Sequence, residues 1–213
     1  MSSERRCIVD TSVLLYFLLV EKDALLLDLL ANPIAVPLAV YDPDDRGLPA
    51  EALRHSDLLS EMHQAIRHYE IVARTGGQPP VLLERVQRVH ELFDSGHLHV
   101  VEMTNEELEV SADLQSRSGA RAYGLKVPLG PGESACVAIA WKRSWTIVTD
   151  DEAALVVLDR IHGGKRNYPY ERIRKLLIRA GKSRHITKET ANLLHHQMCD
   201  LGFWDRGTPF PPS

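Results

Sequence analysis

Short apolar runs alternate with longer stretches of helical periodicity along this chain of 213 residues. Cys7-Ile8-Val9 is an apolar triplet that ends at Asp10. Ser12 to Phe17 reads as the start of a helix, and a second helical piece follows around Asp23–Leu30. Ile34 to Tyr41 is rich in β-formers, but Pro37 offers no N–H to a ladder, which predicts a short or edge strand. Asp42 to Gly47 reads as a turn or loop. Ala50 to Arg74 has helical spacing, with Leu58, Leu59, Met62, Ile66 and Tyr69 on one broad face, and Gly76-Gly77 ends it. Pro79-Pro80 opens another helix, running to about Phe93.

Leu98 to Met103 reads as a strand. Thr104 with Glu107 three residues later is a capping-box pattern, predicting a helix to about Arg117. Ser118 to Gly132 looks like a loop. Glu133 to Lys142 is apolar nearly all round, as a buried helix is. Thr146 to Thr149 is a short buried strand ending at Asp150-Asp151, and Glu152 to Ile161 is a further apolar helix. Tyr170–Ala180 and Thr187–Leu201 read as two last helices before a proline-rich tail. Alternating short apolar strands and helices predict an α/β fold, with a mainly parallel sheet covered by helices on both faces. The length fits one domain with an appendage. We place the main domain at residues 1–163 and a helical extension, packed on the same domain, at 164–213.

Composition narrows the class. Hydrophobic residues at 44% and charged residues at 25% are those of a globular domain, not of a disordered or fibrous chain. Lys and Arg number 25 against 29 Asp and Glu, a net charge of -4, so nucleic-acid contact requires a local basic face. Cys7, Cys136 and Cys199 are far apart and form no C-x-x-C pair, which argues against a disulfide scaffold and a cysteine zinc site. A reduced, cytoplasmic setting is the expectation. Arg5-Arg6 before Val13–Val20 has the look of a signal peptide, but Asp10 interrupts it and no small-residue cleavage site follows. The apolar run is also far below the roughly 20 residues a membrane span needs.

The acids fall at telling places. Asp10 and Asp150, the latter with Asp151 beside it, lie just past the carboxyl ends of strands. Glu133 follows Gly130-Pro131-Gly132 in the first turn of a buried helix. Ligands of open parallel sheets bind outside the carboxyl ends of strands, so these remote residues can share one site. Clustered carboxylates repel unless a proton or a cation compensates. Oxygen ligands without nearby Cys or His suit Mg²⁺ or Mn²⁺, which activate water and offset charge in phosphodiester hydrolysis. Each acid also has a simpler reading. Asp10 can cap a helix, Glu133 can be an ordinary first-turn acid, and Asp150-Asp151 can form a turn and an N-cap.

These residues carry a resemblance. Ile8–Leu14 (I-V-D-T-S-V-L), Gly130–Ala135 (G-P-G-E-S-A) and Ile147–Asp151 (I-V-T-D-D) resemble the signatures of PIN-domain nucleases. Tyr170–Trp204 resembles the two-helix tail of one PIN subgroup. The resemblance implies a three-layer α/β/α sandwich and a divalent-metal-dependent ribonuclease, often the toxin half of a VapBC-like pair with a cognate antitoxin. It implies Asp10, Glu133 and Asp150 as metal-binding carboxylates and Asp151 as an additional acid. Thr11, Ser12 and Thr149 would position water or the acids. A homodimer is compatible with it. The family's further acid lies on a helix after the second strand. Here Asp42 is followed by Pro43, which disfavours a helix, and Glu61 is the helical candidate, equally readable as a solvated face. If neither serves, an inactive PIN-like module that binds RNA or protein is the alternative.

Other features compete. Gly130-x-Gly132-x-x-Ala135 matches a dinucleotide fingerprint, with an acid about 20 residues on, but Glu133 would then face the pyrophosphate. Gly132 to Cys136 lacks the last glycine of a nucleophile elbow. His97-x-His99 and His195-His196 have no third ligand at suitable spacing. The stretch from Lys165 to Arg184 is strongly basic against Glu171 alone. Arg172, Arg174, Lys175 and Arg179 are therefore candidates to follow an RNA backbone, a solvated helix face being the alternative.

Overall fold

A computed structural model of the chain describes residues 6–30, 33–48, 52–53, 56–61, 80–164, 167–205 and 207–211. Residues 57–61 are helical, and the rest of the helix expected to Arg74 lies outside the described residues, as do Gly76-Gly77, Pro79, Lys165 and Arg166. The strands are β1 (Cys7–Val9), β2 (Ile34–Pro37), β3 (Leu98–Val101), β4 (Thr146–Val148) and β5 (Tyr170–Glu171). The helices between them are α1 (Thr11–Leu19), α2 (Asp23–Leu29), α3 (Pro80–Asp94), α4 (Asn105–Leu114), α5 (Arg117–Ala122), α6 (Pro131–Arg143) and α7 (Glu152–Ile161). Helices α8 (Ile173–Lys182) and α9 (Lys188–Asp200) follow the last strand.

The five strands form one sheet in the order β3-β2-β1-β4-β5, and every pairing is parallel. This is an α/β fold, consistent with a three-layer α/β/α sandwich. The centre is short and dry because Ile8, Val9, Val36, Ile147 and Val148 are all fully buried, the pattern of strands covered on both faces. Helix α6 packs across β1, β2 and β4. Its Ala135, Ala138 and Val137 are fully buried, and their small volumes let the helix lie close to the sheet.

Of the two alternatives expected for β2, a short strand or an edge strand, the first holds: it is short, and it lies between β3 and β1. Pro37 is tolerated because it is the last strand residue, where its carbonyl turns to accept from Val40 and Tyr41 N–H at 2.9 and 3.2 Å. Within the expected loop from Ser118 to Gly132, α5 forms instead. Ser116 caps it by accepting from Gly119 N at 2.9 Å, and Gly119 is needed because an added Cβ would stand 2.1 Å from the Asp113 carbonyl oxygen. Tyr170–Glu171 is a strand, and α8 begins only at Ile173. Ile147 N donates to Pro169 O and Thr149 N to Glu171 O, both at 3.1 Å, which holds this segment extended along β4. The residues after 163 thus complete the sheet as well as adding two helices.

The capping box is present as the sequence implies: Thr104 N donates to Glu107 Oε2 at 2.8 Å and Glu107 N to Thr104 Oγ1 at 3.3 Å. Among the described residues, no helix is long and apolar enough to cross a membrane.

Candidate functional site

The strand order places a crevice before any side chain is considered. From β1 the chain runs outward through β2 and β3, then returns to the other side of β1 for β4 and β5. Connections leave β1 and β4 in opposite directions, so the space outside their carboxyl ends is open, the usual ligand position in such sheets. The register pairs Val9 with Val148, which sets Asp10 beside Thr149 and Asp150.

Asp10 is the N-cap of α1 and is almost wholly buried. Its Oδ1 accepts from Thr11 N at 2.8 Å, and its Oδ2 accepts from Thr149 Oγ1 at 2.8 Å and Ser12 Oγ at 3.2 Å. Asp150, equally buried, accepts from Ile173 N at 3.0 Å through Oδ2. Asp151 caps α7, accepting from Ala154 N at 2.6 Å, and its own N–H donates to Thr149 Oγ1 at 3.0 Å. One threonine therefore orients both acid-bearing strand ends.

Glu133 lies in the first turn of α6 and accepts from Gly130 N at 2.7 Å through Oε2. Next to it, Gly132 N donates to Asp57 Oδ2 at 2.7 Å. A Cβ at Gly132 would stand 2.6 Å from that oxygen and 3.1 Å from Thr11 Oγ1, so only glycine permits this approach. The contact brings the helical segment 57–61 against the starts of α1 and α6.

The result is a cavity of about 410 Å³ lined by Asp10, Asp57, Glu61, Glu133, Asp150 and Asp151, with no Lys, Arg or His among the described residues around it. All five acids singled out from the sequence meet there. Asp42, the competitor of Glu61, does not line it; its Oδ1 accepts from Asp44 N at 2.9 Å and caps a single 3₁₀ turn, Pro43–Asp45. Asp57 is the sixth acid, and sequence reasoning misses it. The available signal is its spacing of four from Glu61, which puts both on one helical face.

Burial and mutual repulsion disfavour the charged forms. Burial pushes Asp10 up to about 6, with Asp151 adding to the effect and the donors Thr149, Thr11 and Ser12 opposing it. Asp150 is likewise pushed up to about 6 by burial, against the Ile173 N–H and Arg172. Glu133 rises to about 7 through burial and the charges of Asp151, Asp10 and Asp57. Glu61 also rises to about 7, through loss of water contact and then through Asp10, Asp57 and Glu133. The residue keeps an exposed surface at the rim of the cavity. Asp57 is raised by burial.

A hard divalent cation fits this donor set, which offers carboxylate and hydroxyl oxygens and neither sulfur nor imidazole. Thr11 also borders the cavity, and its buried Oγ1 has no hydrogen-bond partner among the described residues, a costly state for a hydroxyl. Among the described residues, no three His, Cys, Asp or Glu side chains stand close enough to enclose an ion directly. Magnesium commonly keeps several of its waters, which suits a wide acidic cavity better than a tight cage.

The competing motifs lose their setting. No strand precedes Gly130, since residues 125–130 are irregular, so the dinucleotide fingerprint lacks its strand–turn–helix context. Ser134 is fully buried and donates to Pro131 O at 2.9 Å, away from the cavity. Burial raises the Cys136 thiol well above its usual range. The four basic candidates do not line the cavity either. Arg172 pairs with Glu152, Arg174 lies 3.4 Å from Asp205, and Arg179 lies 3.0 Å from Glu171. Lys175 stacks 3.5 Å above the ring of Tyr170.

No family model matches the chain, and no curated protein or solved structure matches it significantly.

Proposed function

We propose that this cavity is the active site of a divalent-metal-dependent ribonuclease of the PIN type. The observation that carries the reading is the meeting of six carboxylates at the switch point of a parallel sheet, with no basic side chain among the described residues that line it. Asp10, Glu133 and Asp150 would hold Mg²⁺ or Mn²⁺, with Glu61, Asp57 and Asp151 close by. When bound, such an ion supplies positive charge for a phosphodiester and lowers the pKa of water beside it.

The chain's own groups prepare that site. Thr149 and Ser12 fix the Asp10 carboxylate, so its orientation is set before substrate arrives. The Ile173 N–H does the same for Asp150, and the Gly130 N–H for Glu133. Thr11 Oγ1 is a donor still to be used. The described residues that line the cavity include no Cys, Lys or His, which favours direct hydrolysis over a covalent enzyme intermediate.

The test is RNA cleavage by the purified protein with Mn²⁺ and with EDTA. Cleavage that needs Mn²⁺ and is lost in Asp10→Asn supports the reading. Cleavage retained by Asp10→Asn overturns it. A second reading, an inactive acid-lined binding module, draws on the wide spacing of the carboxylates. Calorimetry beside the cleavage assay separates the two, since that module would show Mn²⁺ binding and leave RNA intact while the nuclease would show both binding and cleavage.

A further inference from the structure

One wall of the acidic cavity is aromatic. Tyr16, Phe203 and Trp204 line it, and Trp204 keeps 58% of its surface exposed. An exposed indole beside six carboxylates is apolar area that the fold has not used. Its neighbours hold it firmly. Phe203 is 4% exposed, with its ring 5.1 Å from Tyr16, 5.6 Å from His195 and 6.1 Å from Trp204. Upstream, Gly202 turns the chain out of α9 with a φ of +103°, a conformation that favours glycine. The turn is closed by Gly202 N donating to Cys199 O at 3.0 Å and Phe203 N to Met198 O at 2.9 Å. Downstream, the Asp205 carboxylate accepts from Gly207 N at 2.9 Å and lies 3.4 Å from Arg174 Nε, while its carbonyl accepts from Cys199 Sγ at 3.0 Å.

We infer that Trp204 is a stacking platform for an unpaired nucleobase of the RNA strand whose backbone lies at the carboxylates. The inference rests on the nuclease reading and adds the part of the substrate held there. The described residues that line the cavity offer phosphate no basic side chain, so contact with the neutral part of the nucleotide adds affinity that a cation alone does not supply. A rigid aromatic face meets that need at little ordering cost, and it accepts any base. A duplex keeps its bases stacked on one another, so the platform selects single strands.

The experiment uses the full chain in Mg²⁺ and a short fluorescent single-stranded oligoribonucleotide, with a hairpin of the same composition as control. Anisotropy gives affinity, tryptophan fluorescence reports on the indole, and cleavage kinetics run alongside. Trp204→Ala should weaken single-strand binding about 5- to 150-fold, the range for loss of one stacked base. The larger share of the kinetic loss should fall on KM, and Trp204→Phe should restore most of it. Hairpin binding should change little. Circular dichroism confirms the fold, which an exposed side chain does not determine. Equal single-strand affinity for wild type and Trp204→Ala overturns the platform, even if cleavage persists, and leaves the aromatic edge to a protein partner. Quenching and Trp204-dependent binding without any cleavage keep the platform and overturn the nuclease.

Discussion

Two of the places where the molecule buries acids are treated in opposite ways. Glu107, at the start of α4, is 1% exposed, and Arg143 of α6 closes on it with Nε 2.6 Å from Oε1 and Nη2 2.7 Å from Oε2. That bidentate pair, with the Thr104 N–H, holds the Glu107 carboxyl below its usual range. Asp10 is 2% exposed and meets only neutral donors, and it is pushed up to about 6. Both carboxylates are well hydrogen-bonded. Only one has its charge cancelled. A fold that pairs Glu107 with an arginine and gives Asp10, Glu133 and Asp150 no such hydrogen-bonded partner among the described residues leaves the second group poised for an external cation.

The largest effect should come from Asp10→Asn. Loss of a central carboxylate should cost cleavage more than the roughly 10- to 100-fold typical of groups that only support metal ligands. The metal-free protein should lose little stability: an amide keeps one acceptor oxygen for Thr149 and removes a source of repulsion, which offsets the loss of the acceptor for Thr11 N–H. Parallel assays of Mn²⁺-stimulated cleavage and urea denaturation check both halves. A large loss of stability would place Asp10 with Glu107 as an architectural acid.

Arg143→Met tests the other side. It strands the Glu107 charge, and breaking a buried pair costs about 3–5 kcal/mol. Arg143 is 26% exposed on its side chain, so we expect about 2–3 kcal/mol in urea unfolding, with cleavage per folded molecule unchanged.

How much of this is legible in the sequence follows from the same contrast. Asp10 and Asp150 can be read because each ends a short apolar run, and Glu133 because it opens an apolar helix. The capping box marks Thr104 and Glu107 but not Arg143, whose partner lies 36 positions away. Asp57 escapes for a similar reason: its meaning depends on the Gly132 N–H, 75 positions distant. β5 is two residues long and only partly buried, so no hydrophobic pattern marks it; its pairing with β4 makes it a strand. Strand order comes from packing, yet it decides that β1 and β4 are neighbours and hence that the acids meet.

Acidity should separate the two regions a third way. Asp10, Asp150, Glu133 and Glu61 take up protons more readily folded than unfolded. Their contribution in the metal-free protein is therefore fully present below the ordinary values of 3.8 and 4.5, and it is lost as pH rises through about 6 to 7. Glu107 runs the other way: its contribution is present above 4.5 and lost as pH falls. Mn²⁺ should thus stabilise the protein at pH 7.5, by about 1.4 kcal/mol at ten times its Kd, or about 3–6 °C in Tm. At pH 5 protonated carboxyls should bind it poorly and the shift should vanish. Melting curves at both pH values, with and without Mn²⁺, check the sign, and an equal shift at pH 5 would place Mn²⁺ elsewhere.

The smallest effect is expected on the basic stretch, where charge is mostly cancelled as at Glu107. Arg172, Arg174 and Arg179 each face a carboxylate, so they offer phosphate less than their number suggests. Lys175 differs, since its ammonium sits over the Tyr170 ring and donates to the Tyr170 carbonyl at 3.5 Å, an arrangement that leaves its charge uncancelled. Each phosphate that a basic side chain neutralises adds about 0.7 to the slope of log affinity against log salt for a single strand. Arg174→Glu together with Lys175→Glu should therefore weaken RNA binding and flatten that slope by about 0.7, the value for one phosphate. Arg174→Glu alone should change the slope little, because it mainly exchanges the pairing with Asp205 for repulsion. A salt titration of the two variants decides the matter: flattening by twice that amount in the double variant would return Arg174 to the RNA surface, and none at all would make the whole stretch structural.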